Sequence, residues 1–445
     1  MQRGINLVGV LSAAVGLGAA GRATLDVLQQ RDIPHVAIDI DLGAGAAVER
    51  MPASAPRALD LRSLPYAATL VHMNPDMFEN LILRWRRRLG YEMKPTLNAI
   101  VPFWELPALP AAWVPSISAF DVVLAPTKFI RGALERSLPV HRRPLIWDYP
   151  QAVNPPMPVT PDRERWLGER ANRTTFLSTF DILSEIERKN PWAAIRAFQE
   201  AFRGRDDASL LVKVNHARVT RHAERFAELE RLAADDKRVV LLSDSLSRDD
   251  LWSLYASVDA YVSLHRAEGL GLGLMEAMAV GKPVVATGWS GNMDFSTDAN
   301  CMLVPYTLVQ VSATHPNYRG ESAQKWADPD LHKAAAAMRT LADTPGLMGK
   351  MGAQGEADMR RRRQDQAQRG VLDDLADTAI GGTAQTPEHR ERVRAGQRHA
   401  LQRAVALSNL VEHAKRAGVR ELRRVGLKPP PPPDERQWGP PLILP

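Results

Sequence analysis

Short runs of aliphatic and β-branched residues recur along the chain, and the apolar positions between them fall at helical spacing. INLVGVL, HVAID, ATLVH, NAIVPF and DVVLA mark the first third; TTFLSTF, SLLVKV, RVVLL, AYVSL, KPVVAT and CMLVPY form a second series. Such runs alternating with helical stretches predict buried strands of parallel sheets, and two series predict two α/β domains. Between them DYPQAVNPPMPVTPDRE lacks periodicity and reads as a hinge. In SLSRDDLWSLYASVDAYVSL, Ser247 stands as N-cap with Asp250 three residues later, opening a helix before a strand at 260–264.

From about residue 330 the pattern turns helical, with HKAAAAMRTLADTP followed by GKMGAQGEADMRRRRQDQ. The arginine run at 360–363 reads as a solvated helix face rather than a polyanion site. Past GGT at 381–383, a stripe of Ala400, Ala404, Leu407, Val411 and Ala414 has helical period, and five prolines at 429–433 impose extended backbone. The expected organisation is a first domain over 1–160, a second over 161–380 and a basic helical, proline-rich tail over 381–445.

Length and composition agree: 445 residues, 45% hydrophobic and 24% charged, hold ample material for two globular cores. Cys301 is the only cysteine, so an intrachain disulfide is excluded and a reducing, cytoplasmic compartment is expected. No apolar run reaches the ~18 residues of a spanning helix. The opening MQRGINLVGVLSAAVGLGAA has the charge and apolar stretch of an export signal, but RATLDVLQQRDIPHVAIDIDL at 22–42 continues as helix and strand, the behaviour of a βαβ unit. The formal charge of +6 lies in the tail, where 12 basic side chains face 6 acidic ones; residues 1–380 hold 45 of each sign. A neutral body argues against nucleic acid as partner. The tail is the expected contact for an anionic membrane surface or a partner protein, with peripheral attachment at the inner face of the membrane as the consequence.

The stretch HRAEGLGLGLMEAMAVGKPVVATGWSGN carries the clearest chemistry. EAMAVG reads as a short helix behind a glycine loop, so free backbone amides and the positive end of the helix dipole face whatever binds there. A nucleoside diphosphate fits such a helix start. Glu276, read as lying in the first helical turn, is then placed for hydroxyl groups rather than for the anion.

The same stretch resembles the donor-binding signature of retaining glycosyltransferases of family 4 (glycosyl transferases group 1), with Glu268 and Glu276 as its E-x7-E pair. PFWELPALPAAW, FDVVLAPTKFI, ERKNPWAAIRAF, WADPD and the opening GVLSAAVGLGAAGR resemble further elements of one branch of that family, in its order, over residues 5 to about 376. The resemblance implies the GT-B fold, two Rossmann-like domains facing a cleft, and transfer from a nucleoside diphosphate sugar to a hydroxyl of a glycan or lipid-linked glycan. It implies no cofactor and no obligatory metal. It also implies that Glu276 binds the ribose and Glu268 the donor sugar, with Gly269, Leu270, Gly271 and Leu272 lining the donor.

Developing charge on the leaving diphosphate requires cations. Lys189 and Arg188 are the candidates, Lys189 being the closer match because the family usually separates its arginine and lysine. Lys213 is a further candidate. His265 and Arg266 belong to the same strand end as the donor loop, and Glu105, in FWEL, is placed to reach the donor sugar. Leu270 and Gly273 stand where many members carry phenylalanine and proline. Trp104 and Trp113 read as packing residues; His72 reads equally as a cleft group or a buried imidazole.

One motif supports a different enzyme. GLGAAG at 16–21 satisfies G-x-G-x-x-G, with Asp39 and Asp41 about twenty residues on, the pattern of an NAD(P)-dependent oxidoreductase. Under the transferase reading the amides of Gly16, Leu17 and Gly18 contact the donor phosphate or the acceptor. A catalytically degenerate glycan-binding protein is the third reading. Asp39-Ile-Asp41 also spells D-x-D, read here as a strand end with solvated carboxylates, and GWSGN lacks the last glycine of a hydrolase nucleophile turn.

Overall fold

The computed structural model describes residues 2–40, 64–77, 97–217, 223–312, 318, 321 and 323–381. Asp41 and the tail from residue 382 lie outside the described residues. The first series of apolar runs forms six strands: β1 (Gln2–Gly9), β2 (His35–Asp39), β3 (Tyr66–His72), β4 (Leu97–Ile100), β5 (Val122–Ala125) and β6 (Leu145–Asp148), all parallel in the order β2-β1-β3-β4-β5-β6. The second forms β7 (Thr174–Asp181), β8 (Ala208–Asn215), β9 (Val239–Leu242), β10 (Ala260–Ser263), β11 (Val284–Thr287) and β12 (Cys301–Val304), parallel in the order β12-β11-β10-β7-β8-β9. Helices cover both sheets, which explains why their strands read as continuous apolar runs instead of alternating ones. Ser247 caps the Arg248–Ser257 helix by accepting the Asp250 amide at 3.1 Å.

A hairpin of β13 (Tyr306–Gln310) and β14 (Lys325–Pro329) leaves the second domain and lies on the first. Gln324 exchanges two hydrogen bonds with the Ala108 backbone, at 2.7 and 2.9 Å, and Tyr318 stacks on Trp104 with centroids 5.3 Å apart. Trp104 and Trp113 are buried in this cluster, as packing residues.

The C-terminal helices correct the expected boundary at 380. The Leu347–Gln368 helix lies against the second domain through Gly352, Gly355 and Met359. Its far end reaches the first domain, where the Gln366 side chain accepts the Ala152 amide at 3.1 Å and Arg362 donates to the Gln151 carbonyl at 2.6 Å. The next helix, Val371–Gly381, belongs wholly to the first domain: Leu372, Leu375, Ala376 and Ala379 enter its core. The chain therefore crosses between domains twice. Arg360 and Arg361 are exposed on this strap and paired with Glu356 and Asp358, as a solvated face requires, but Arg362 is turned inward. Among the described residues, no helix is long and apolar enough to cross a membrane.

Because Leu375 is fully buried in the first domain's core, Leu375→Ala should cost about 2–5 kcal/mol. Denaturant unfolding followed by a first-domain probe checks it; a loss confined to the second domain would deny the assignment.

Candidate functional site

In each sheet the chain builds outward on one side and returns to the other, so the order reverses between β1 and β3 and between β7 and β10. Ligands of open parallel sheets bind at such reversals, beyond the carboxyl ends of the strands. The candidate residues at 16–18, 188–189 and 265–276 all follow β1, β7 or β10. The two sides approach one another: a side chain at Gly16 would stand 3.8 Å from the Leu272 side chain, and one at Gly269 would press on the Trp104 carbonyl at 2.9 Å. The Thr127 hydroxyl donates to the Gly269 carbonyl at 3.0 Å, fixing the glycine loop to the first domain.

At the centre is Glu268, buried, with its carboxylate against the Lys189 ammonium and 3.3 Å from Arg188 Nη1. Arg188, 3% exposed, lies 3.5 Å from the first domain's Glu105, whose other oxygen accepts the Tyr318 hydroxyl at 2.9 Å. Burial alone would raise the Glu268 pKa, but Lys189, Arg188 and His265 outweigh it and hold it down at about 2. Burial lowers the Lys189 pKa, and Arg188 adds to this against the pull of Glu268. Burial would also lower Arg188, but Glu105, Tyr318 and Glu268 raise it. Charges at this depth persist only when paired and hydrogen-bonded.

The backbone around the cations is strained. Glu185 and Asn190 flank the short Ile186–Lys189 helix with φ of 72° and 50°, conformations non-glycine residues rarely hold. Asn190 is tied to the Leu264 carbonyl at 3.1 Å, and the Arg188 side chain spans the Ser184 and Ala267 carbonyls at 3.0 and 2.8 Å. These bonds join the ends of β7 and β10. Such strain, where surrounding contacts over-determine it, is found at functional sites.

His265 is buried, and burial lowers its pKa. Its Nδ1 faces the Ser263 hydroxyl at 3.0 Å and its Nε2 the acceptor oxygens of Asn292 and Trp289 at 3.1 and 3.3 Å. Nε2 therefore carries the proton. The GWSGN run closes the other side of the loop: Ser290 accepts the Glu268 amide at 2.7 Å, and a side chain on Gly291 would overlap the Gly269 carbonyl at 2.0 Å.

The helix behind the loop starts earlier than expected, at Leu272, with Gly271 as N-cap at φ 83°. Glu276 thus sits in its second turn, not its first. Glu276 is buried and its Oε1 lies 2.6 Å from Arg248 Nη1. Beneath the loop, Thr179 joins the Tyr255 and Tyr261 hydroxyls at 2.9 and 3.0 Å, and a side chain at Gly273 would stand 2.5 Å from Tyr261 Oη. A proline there would collide with this network, which accounts for the glycine. Leu270 is buried in the second domain's core.

Two candidates stand apart from the Glu268 cluster. Arg266 turns to Asp328 at 3.1 Å and to the Glu187 carbonyl at 3.2 Å, tying β14 to the domain. The Lys213 ammonium donates to Asn215 Oδ1 and the Val214 carbonyl at 2.7 and 3.2 Å, and burial brings its pKa down to about 8. His72 is a buried imidazole, its pKa pushed down by burial to about 3.

The first-domain loop differs from a dinucleotide fingerprint. β1 ends at Gly9 and the helix begins at Gly16, so all three glycines of GLGAAG lie inside the helix. Gly18 allows the helix to pack on the Ala13 carbonyl, which a side chain would meet at 2.1 Å. Asp39, which in the fingerprint would take the ribose, instead accepts the Ser12 amide at 2.9 Å.

Comparison with known proteins places this geometry. Residues 179–312, which hold Arg188, Lys189 and both glutamates, match the family Glycosyl transferases group 1. That match lies within the second domain. Solved structures extend the likeness over both domains. HepE of Anabaena, determined with UDP and glucose, aligns at a TM-score of 0.59 and 13% identity over 84% of this chain and all of its own. The α,α-trehalose 6-phosphate synthase of Burkholderia multivorans gives 0.57 and 14% over 86% and 100%, and the Escherichia coli trehalose-6-phosphate protein with UDP-2-fluoro glucose 0.54 and 11% over 86% and 99%. At such identities the likeness establishes the fold, the two-domain GT-B arrangement. Among curated proteins none matches the sequence.

In this domain the Glu268 pairing has a pH signature. Glu268 titrates near 2 folded and near its ordinary 4.5 unfolded, so the unfolded chain takes up the proton first as pH falls, and stability is lost over that window. The stability difference between wild type and Glu268→Gln should therefore narrow as pH falls from 4.5 toward 2; a constant difference would contradict the pairing.

Proposed function

We propose that the protein is a retaining glycosyltransferase of the family 4 type, moving a hexosyl residue from a uridine diphosphate sugar to a hydroxyl of a glycan or lipid-linked glycan. Neither a cofactor nor an obligatory metal is required. The observation that carries this reading is the pairing of Lys189 and Arg188 with the buried Glu268 at the reversal point of the second sheet. Two cations held by strained backbone beside a glycine-capped helix start suit a diphosphate. The uridine assignment is supported by the UDP and UDP sugar in the HepE and E. coli structures.

In this mechanism the diphosphate takes the place beside Lys189 and Arg188 that the Glu268 carboxylate now fills, and Glu268 is released to the sugar hydroxyls. Glu276, held by Arg248, accepts from the ribose. The acceptor hydroxyl attacks from the face the diphosphate leaves, and a phosphate oxygen receives its proton, so no protein nucleophile is needed. Lys189 and Arg188 stabilise the charge that develops on the leaving group. Glu105 approaches Arg188 from the first domain, which makes domain closure part of completing the site. The engagement of Asp39 by Ser12 weighs against an NAD(P)-dependent oxidoreductase. The tail over 381–445 is the proposed contact with an anionic membrane surface or a partner.

The test is donor turnover with product stereochemistry read by NMR. An α-linked UDP sugar should give an α-linked product, EDTA should leave the rate unchanged, and Lys189→Met should lower kcat by about 10²–10³. Inversion of the anomeric centre, or loss of activity in EDTA, would overturn the corresponding part of the reading.

A further inference from the structure

A cavity of about 540 Å³ lies between the domains. Its walls come from the first-domain segments after β5 and β6, from residues 294–297 of the second domain, and from the strap helix Leu347–Gln368 with Arg369 beyond it. Of the residues placed around the donor loop only Thr127, whose hydroxyl holds the Gly269 carbonyl, also lines it.

The wall carries four basic and four acidic side chains, and the partners already made decide the sign. Asp148 is held by Arg131 at 2.7 Å, Asp294 accepts the Lys128 amide at 2.9 Å, and Asp358 accepts Asn300 and pairs with Arg361. What remains for a guest is Lys128, Arg362 and Arg369 against Asp365 and Asp294, whose charge a backbone amide does not cancel, so the balance stays positive. Arg362 is the most constrained of these. Its Nε donates to the Gln151 carbonyl at 2.6 Å and its guanidinium lies over the Phe295 ring at 5.5 Å, while Nη2 is buried with no hydrogen-bond partner. Burial lowers the Arg362 pKa, Asp294 pulling against it and Arg369 adding to it, so the charge is under-compensated where it stands.

A buried, unsatisfied guanidinium N–H is costly, and a planar arginine fork is suited to phosphate. The volume falls in the range of small-molecule sites. We infer that this cavity binds a small hydroxyl-bearing phosphate monoester, such as a sugar or polyol phosphate, with Arg362, Lys128 and Arg369 on the phosphate and Asp365 available to hydroxyl groups. Because its walls belong to both domains and the strap, an occupant would tie them together in the arrangement seen here.

The inference is separate from the donor site and is tested separately, on the full chain, by calorimetric titration with inorganic phosphate, glycerol 3-phosphate, a hexose 6-phosphate and the uncharged hexose. The hexose phosphate should bind, the uncharged hexose at least ten-fold more weakly. Arg362→Met should weaken the hexose phosphate at least ten-fold while UDP affinity stays within two-fold, and Arg362→Lys should recover part of the loss. Lys128→Met, on a different element, should weaken it in the same direction, guarding against a fold defect in the Arg362 variant. Absence of binding by every phosphate compound, equal binding by the uncharged hexose, or unchanged affinity in Arg362→Met would each overturn it. Glycosylation of the bound compound would mark the cavity as an acceptor site; binding without consumption would mark it as an effector site. Both support the inference.

Discussion

The site depends on withdrawing two cations from most of their contact with water and holding them there with carboxylates from both domains. Arg188 is buried and Lys189 half-buried against Glu268, and Arg188 is also approached by Glu105 from across the interface. Desolvation on this scale is tolerated only because each charge has a partner. The strained residues on either side of the Ile186–Lys189 helix, the Asn190 and Arg188 bonds to the β10 end, and the Ser290 bond to Glu268 all serve to fix that pairing. A dianionic guest that replaces the Glu268 carboxylate inherits a site already built for negative charge, which is the sense in which the arrangement is preorganised.

The interface between domains follows from the same constraint. Glycines at 269 and 291 bring the loop within van der Waals reach of Trp104 and of its own second wall; any side chain would hold them apart. Thr127 then fastens the loop, the β13–β14 hairpin fastens Tyr318 to Trp104 and Glu105, and the strap helix carries the chain back to the first core.

Much of this was legible in the sequence, for physical reasons that differ by element. Strands buried on both faces announce themselves as apolar runs, so the two sheets could be read directly, and the glutamate pair around a glycine loop could be placed at a strand end. Of the residues that act across the interface, Glu105 was a candidate from the sequence, whereas Tyr318 and Thr127 carried no local signal. Tyr318 lies in a hairpin far from Glu105 in sequence, and Thr127 reads as an ordinary helix cap, which it also is. Arg266 resembled its neighbour His265 in position, yet successive residues past a strand end point in opposite directions, and Arg266 turned to β14. The Val371–Gly381 helix looks amphipathic whichever domain it covers; only the strap's length and direction decide that it covers the first.

The most direct measurement is a thermal-shift comparison of UDP with NAD(P) on wild type and Lys189→Met. A ligand at 100 times its dissociation constant stabilises by about 2.7 kcal/mol, which is about 5–11 °C for domains of this size. The expected result is a rise with UDP in wild type that is absent in Lys189→Met, and none with NAD(P). A rise with NAD(P) alone, or a UDP response indifferent to Lys189, would contradict a diphosphate site centred on the two cations.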